Sequence, residues 1–328
     1  MPFALSPKTP WPFSAMEGLE SLSDLFDQPW PPLPVGPPPF GPDSAKSIMG
    51  AVSGAYAGKR AFELVMALSG LDEEASKELV DFGSLWLGGK LALEPEGLLS
   101  PGEYRLNLPQ YRPRIFYEIN PERVVFEDGD LIVYDKEAGC PSQGVPRDAR
   151  NNVLAAMERR TGKTLRLIHR LDAPTSGLLM IAATKQAASR AAGDLARHAV
   201  GKRYLALTRG EPPSWRETVV DAPIGKERSR YVVAEEGRGA PAKTRLTYLA
   251  REGELVLFLA EPLTGRTHQI RLHMAKLGYP IIGDEFYGGH LGPRLMLRAS
   301  GLRLKHPGDA SRLLFGGPWE ESEISKGG

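Results

Sequence analysis

Cysteine is almost missing from this chain: Cys140 stands alone among 328 residues, which excludes an internal disulfide and a Cys-rich metal site. Long apolar runs are missing too. No stretch reaches the ~18 consecutive apolar residues that a membrane-crossing helix needs. The opening Met1-Pro2-Phe3-Ala4-Leu5-Ser6-Pro7 has no charged patch followed by an apolar core, so no secretion signal is expected there. Together these features predict a cytoplasmic protein with no membrane partner. A charge excess is also lacking: 41 Lys and Arg face 40 Asp and Glu, a net charge of +1.

That balance hides segregation. Arg159, Arg160, Lys163, Arg166 and Arg170 crowd one stretch, Arg197, Lys202 and Arg203 a second, and Arg294, Arg298, Arg303 and Lys305 a third. Acidic residues gather at Asp72–Glu74 and at Glu320, Glu321 and Glu323. Basic clusters beside a site can follow a phosphate backbone even in a neutral protein, although for any single one of these residues a solvated surface is the better account. Proline is segregated as well. Pro29-Trp30-Pro31-Pro32-Leu33-Pro34 and Pro37-Pro38-Pro39 dominate residues 1–45. Such density removes backbone donors and blocks helices and ladders, predicting an extended or disordered arm.

The most telling stretch is His169-Arg170-Leu171-Asp172-Ala173-Pro174-Thr175-Ser176-Gly177. It sets a carboxylate beside a guanidinium in a tight turn between two strand-length apolar runs, Leu165–Ile168 and Leu178–Ala183. Thr175 and Ser176 can hydrogen-bond the turn's backbone, and the turn can hold Asp172 at a sheet edge. Further on come Gly201-Lys202-Arg203-Tyr204 and Thr264-Gly265-Arg266-Thr267-His268-Gln269-Ile270-Arg271-Leu272-His273. Gly278-Tyr279-Pro280-Ile281-Ile282-Gly283-Asp284 follows them. Ala222-Pro223-Ile224-Gly225-Lys226 and Ala240-Pro241-Ala242-Lys243-Thr244 lie between. In this order the motifs resemble those of the RluA-type pseudouridine synthases, in which the aspartate of an H-R-L-D turn is catalytic. The resemblance covers roughly residues 115–310, with Val124–Gly139 as the opening strand pair.

Within residues 46–110, Phe62, Val65, Met66 and Ser69 share a helical face that Gly70 can close. Asp72 suits the N-cap of a second helix carrying Ala75, Leu79 and Phe82, ended by Gly83. Leu85-Trp86-Leu87, a Gly88-Gly89 turn and Lys90–Leu93 predict a hairpin. This order resembles an S4-like RNA-binding domain, which often precedes the catalytic domain in the family. The second helix departs from it, carrying Asp72, Glu73, Glu74, Glu78 and Asp81 where an RNA-contacting helix carries Lys or Arg. Beyond a linker at 111–120, strands and helices alternate without a βαβ rhythm. Hairpins are expected at 124–134 and 244–260, and helices at 152–160, 186–198 and 267–277. The fold expected for 121–316 is α+β, a mixed and largely antiparallel sheet with flanking helices. A small S4-like α/β domain precedes it, and a loose polar tail occupies 317–328.

Isomerising uridine breaks the C1′–N1 bond and rejoins C1′ to C5 of the turned base. No redox change occurs and no external atom is kept, so no cofactor is expected. Asp172 can attack C1′ or C6, or remove the C2′ proton; an Asx-turn role is its structural alternative. Tyr204 offers a ring for stacking and a hydroxyl for a proton relay, or else fills a strand pair. On the predicted helix, Ile270, Met274 and Leu277 form an apolar stripe. Arg271 stands about a hundred degrees from it and can pair with Asp172. The resemblance assigns that partner role to the second arginine of its motif. It also implies that Arg170 replaces the flipped base or holds phosphate; a non-selective phosphate contact is the alternative. His169, Thr175, Arg266, His268 and Gln269 complete the expected RNA-binding set. His268 and His273 lie five apart, on different helix faces, and with His169 they lack a Cys or carboxylate to complete a metal site. Structural histidines, and no metal, are expected.

Two departures from the family pattern, Arg298 in Leu297-Arg298-Ala299 and Glu137 after Lys136, read as peripheral. The implied activity is isomerisation of specific uridines in ribosomal or transfer RNA by a monomer. A catalytically silent RNA-binding or assembly protein of the same fold is the alternative, to be distinguished by binding without turnover. A glycoside hydrolase would need a second acid, and Asp172 has none within its motifs.

Overall fold

Two short polar signals shape the first helices. The computed structural model describes Leu22, Phe26 and residues 47–108, 117–144, 149–228, 230–235 and 237–317. They group into two compact units, one within Pro31–Ile119 and Cys140–Lys163, the other within Met1–Trp30, Asn120–Gly139 and Thr164–Gly328.

In the smaller unit β1 (Ser47–Val52) leads to α1 (Ala61–Ser69), which stops where Gly70 takes φ 74° and donates its N–H to Met66 O. Only a residue tolerant of positive φ closes a helix this way at low cost. Helix α2 (Glu73–Asp81) starts where the Asp72 side chain accepts from Ala75 N at 2.8 Å. Strands β2 (Leu85–Leu87) and β3 (Lys90–Ala92) form the expected Gly88-Gly89 hairpin, and β4 (Gly102–Asn107) joins them. The antiparallel sheet runs β1-β4-β2-β3, and Val52, Leu85 and Leu106 pack on Leu64, Val65, Leu79 and Val80. Nothing in the sequence announces β1, a short strand with a central glycine whose only partner among the described residues is β4. Helix α3 (Val153–Thr161), capped by the Asn152 side chain, also belongs to this unit, although its residues were expected within 121–316. Backbone hydrogen bonding explains it: Ala149 N donates to Phe82 O at 2.6 Å, and Arg150 pairs with Asp81 at 3.0 Å.

The larger unit is built on ten strands. They are β5 (Val124–Glu127), β6 (Leu131–Lys136), β7 (Arg166–Leu167), β8 (Ser176–Ala182), β9 (Gly201–Arg209), β10 (Glu217–Asp221), β13 (Lys243–Glu252), β14 (Leu255–Pro262), β15 (Leu297–Lys305) and β16 (Arg312–Gly316). The hairpin β11 (Ile224–Glu227) and β12 (Arg230–Val233) stands apart, and helices α4 (Lys185–Ala196) and α5 (Gln269–Lys276) flank the sheet. The main order is β10-β13-β14-β9-β15-β8-β6-β5, with β16 on β15 and β7 on β8. Every pairing is antiparallel except β8 with β15, so the expected mixed, mainly antiparallel α+β sheet is present. Strand β8, buried along its whole length, carries the continuous apolar run typical of a strand covered on both faces. Gly177, its second residue, takes φ 107°, and a Cβ there would lie 2.2 Å from Ala299 O on β15. Glycine is therefore required where the strand after the Asp172 turn meets its parallel neighbour.

Two expectations change. The arm at 1–45 lies outside the described residues except at Leu22 and Phe26. These are buried, and Leu22 N donates to Glu252 Oε2 at 2.6 Å, so at these positions the chain is packed rather than disordered. Helix α5 has no solvent face over its first turns: Gln269, Ile270, Arg271, Leu272, His273 and Met274 are all buried. The apolar stripe predicted for it does not separate inside from outside, because sheet and loops enclose its polar residues as well. Parts of the predicted linker and nearly all of the tail lie outside the described residues.

Candidate active site

The Asp172 turn is clamped through its backbone. Asp172 O accepts from Thr175 N at 3.0 Å, closing the tight turn. Ala173 O accepts from Gly139 N at 2.7 Å and from Lys136 Nζ at 3.1 Å. Lys136 is fully buried, its ammonium also donating to Glu137 O at 2.7 Å. A buried ammonium needs such acceptors, and here one of them belongs to the residue after Asp172. The Asp172 side chain faces a cavity of about 860 Å³, which all nine residues expected at the site line.

Arg271 reaches that cavity from α5. Its Nε and Nη2 donate to Asp284 Oδ2 and Oδ1 at 2.8 and 2.7 Å, a bidentate pair, while Nη1 lies 3.8 Å from Asp172 Oδ2. Burial works against the guanidinium charge, but the hydrogen bonds and charge of Asp284, and then Asp172, outweigh it and raise the pKa. Rings of Phe286 and Tyr287 lie 5.6 and 5.1 Å from its guanidinium carbon. The Asp284 carboxylate also accepts from Phe286 N and Tyr287 N at 3.2 and 3.3 Å, so one acid organises both the arginine and this loop.

Tyr204 comes from β9 and is buried. Desolvation, then the charge of Asp172, pushes its pKa well above the usual phenol value. The phenol therefore keeps its proton at neutral pH. His268 sits at φ 57°, just before α5 rather than on it. Its Nδ1 lies 2.6 Å from the Tyr287 hydroxyl and its Nε2 3.8 Å from Asp172 Oδ2. Burial lowers its pKa, only partly countered by Asp172, and keeps the imidazole neutral. His268 thus adjoins the carboxylate, whereas His273 is structural as expected, bonded to Thr244 Oγ1 at 2.8 Å and Ala222 O at 3.0 Å.

The remaining expected residues divide. Gln269 has its amide engaged on all sides: Oε1 accepts from Thr264 Oγ1 and Arg266 N, and Nε2 donates to Lys243 O and Thr244 Oγ1. Thr175 is buried within the turn. His169 Nε2 accepts from Met180 N at 3.2 Å, and burial lowers its pKa to about 3. These three shape the wall. Arg170 is exposed on the rim, as is Arg266, whose Nε donates to Pro241 O at 3.0 Å.

Asp284 and Lys136 escape the residue-by-residue reading of the sequence. The Gly278–Asp284 segment marks the former's neighbourhood, but nothing local ties it to Arg271, thirteen positions earlier. The two family departures are not peripheral. Arg298 Nη2 meets Asp135 Oδ2 at 2.9 Å, Arg123 Nε meets Glu137 Oε1 at 3.2 Å, and Arg123 Nη1 donates to Asp135 O at 3.2 Å. Asp135, Glu137 and Arg298 are buried, on strand ends flanking the Asp172 turn, where Arg298 registers with Ser176 and Lys136 with Gly177. Among the described residues no His, Cys, Asp and Glu cluster is suited to a metal ion, and no helix is long and apolar enough to cross a membrane.

Residues 130–276 match the sequence model of the RNA pseudouridylate synthase family. The chain is 31% identical over 216 residues to ribosomal large subunit pseudouridine synthase C of Vibrio parahaemolyticus, covering 62% of this chain and 67% of that protein. It is 35% identical over 220 residues to ribosomal large subunit pseudouridine synthase D of Nitrosomonas europaea, covering 61% and 63%. It therefore spans about two thirds of the length of these relatives. Human RNA pseudouridylate synthase domain-containing protein 1 is similar in structure with a TM-score of 0.48 and 28% identity, over 59% of this chain and 82% of that one.

Proposed function

The chain belongs to the RNA pseudouridylate synthase family, and we propose that it isomerises uridine to pseudouridine in RNA, with Asp172 acting on an extruded nucleotide. The observation that supports this most is convergence. Asp172 from a turn, Tyr204 from β9 and Arg271 from α5 line one cavity. The resemblance of the relatives to this chain favours ribosomal RNA of the large subunit as the substrate.

A base inside a duplex cannot reach such a cavity, so the target uridine has to leave its stack. Asp172 then acts at C1′, at C6 or on the C2′ proton, and the C1′–N1 bond breaks. The uracil turns, C5 bonds to C1′, the C5 proton is lost and N1 takes one up. Arg271, fixed by Asp284, faces the Asp172 carboxylate at 3.8 Å and orients it. Tyr204, protonated throughout, offers its ring to the base and its hydroxyl as a donor rather than as a base. The other cavity carboxylate, Glu261, is engaged by Arg203 at 2.9 Å, which leaves no second free acid for glycoside hydrolysis among the described residues of the cavity.

The test is release of tritium from RNA labelled at uracil C5. Wild type is expected to release label, and Asp172→Asn to fold and bind RNA without releasing any. Label release by Asp172→Asn at the wild-type rate would remove Asp172 from the mechanism. Binding without release by wild type would instead mark a silent RNA-binding protein.

A further inference from the structure

Two cations lining the cavity, Arg170 exposed on its rim and Lys202 within its wall, have no counterpart among the described residues. Arg271 has Asp284, Arg245 lies within 4 Å of Glu217 and Glu261, and Arg266 donates to a carbonyl. Lys202 lines the same cavity, half-buried, yet its ammonium has no hydrogen bond or ion pair with any described residue. The cavity's carboxylates do not serve it: Glu261 is held by Arg203, and Asp172 faces Arg271 and His268. Burial is the only influence on its pKa, which is lowered. An ammonium removed from water without a partner costs stability, and a site that keeps one there is prepared for an anion that arrives with a ligand.

The fold says where that anion sits. Lys202 and Tyr204 are two apart on β9, so their side chains leave the strand on the same face, about 7 Å from each other along it. Tyr204 stands near enough to Asp172 to feel its charge. The next position along the strand therefore lies beside the nucleotide under attack, not beneath its base. Neutral uracil brings no anion to that place, whereas every nucleotide of RNA brings a phosphate. We propose that Lys202 binds a backbone phosphate adjacent to the target uridine, pulling the extruded nucleotide into register with Asp172. This rests on the reading of the substrate as RNA, and it gives that substrate a specific handle in the cavity wall.

The experiment compares full-length wild type, Lys202→Met and Lys202→Arg. Affinity for a substrate RNA is measured across a salt series, alongside label release and the unfolding midpoint. Lys202→Met is expected to weaken binding about tenfold. It should also flatten the slope of log K against log[salt] by about one phosphate contact, with kcat/KM falling by a similar factor. Lys202→Arg should restore the slope, which a packing role for the side chain would not explain. An unchanged slope in Lys202→Met, with or without a loss of turnover, would overturn the phosphate assignment. A wild type that binds RNA but releases no label would sink the isomerase reading alone, because the salt slopes still decide the role of Lys202.

Discussion

Arg271 donates two nitrogens to Asp284, at 2.8 and 2.7 Å, before it presents a third to Asp172 at 3.8 Å. The arginine is thus oriented by one acid in order to orient another. Asp284→Asn keeps the size of the side chain but loses its charge and one acceptor. Breaking a buried charged pair costs about 3–5 kcal/mol, and a displaced guanidinium can cost turnover about a hundredfold. Denaturant unfolding and label release should both fall, with RNA affinity affected least. A variant with wild-type turnover would show that Arg271 needs no anchor.

Gly177→Ala probes the backbone rather than the chemistry. The new Cβ would lie 2.2 Å from Ala299 O at a φ of 107°. Neither the conformation nor the space admits alanine, so the β8–β15 pairing must yield, and strand and turn with it. The expected result is loss of soluble protein or a strongly lowered unfolding midpoint, several times the ordinary effect of about 1 kcal/mol for a point change. An unaltered midpoint would mean the sheet accommodates the methyl.

Lys136→Met removes the ammonium that ties Ala173 O to Glu137 O. Leaving those carbonyls short of a donor costs about 1–3 kcal/mol. Because one carbonyl follows Asp172 directly, kcat should fall further than RNA affinity does. Equal losses in kcat and affinity would point instead to general unfolding of the turn.

His169 makes stability depend on pH. Its folded pKa is about 3, below the ordinary 6.5, because burial disfavours the imidazolium. The unfolded chain therefore binds the extra proton more readily. The contribution is complete above about pH 6.5 and is lost as pH falls toward 3, by at most about 1.4 kcal/mol per pH unit. His169→Gln should flatten the stability profile in that window. A profile as steep as wild type would place the acid sensitivity elsewhere.

Much of the site is legible in the chain because its parts are local. The cap at Asp72, the Gly88-Gly89 hairpin, the strand before and after Asp172 and the helix closed by Gly278 each follow from a few neighbouring residues. The expectation for α5 failed where a local rule met a non-local fact. Periodicity separates apolar from polar faces, but a helix enclosed on every side also buries Gln269, Arg271 and His273, each satisfied by a distant partner. The departures at Glu137 and Arg298 misled for the same reason, since their significance depends on Arg123 and Asp135 lying beside them.

By itself, then, the order of residues determined most of the elements though not β1, the turn that carries Asp172 and the set of side chains that could serve it, because turn chemistry and strand alternation act over a few positions. Which of those side chains remain free to meet a ligand was decided only by the tertiary structure. Hydrogen bonds engage Gln269 and His169, Asp284 claims Arg271, and no described residue supplies Lys202 with an anion. Partnering of a charge is settled by its neighbours in space, at distances of about 3 Å that separation along the chain does not reveal.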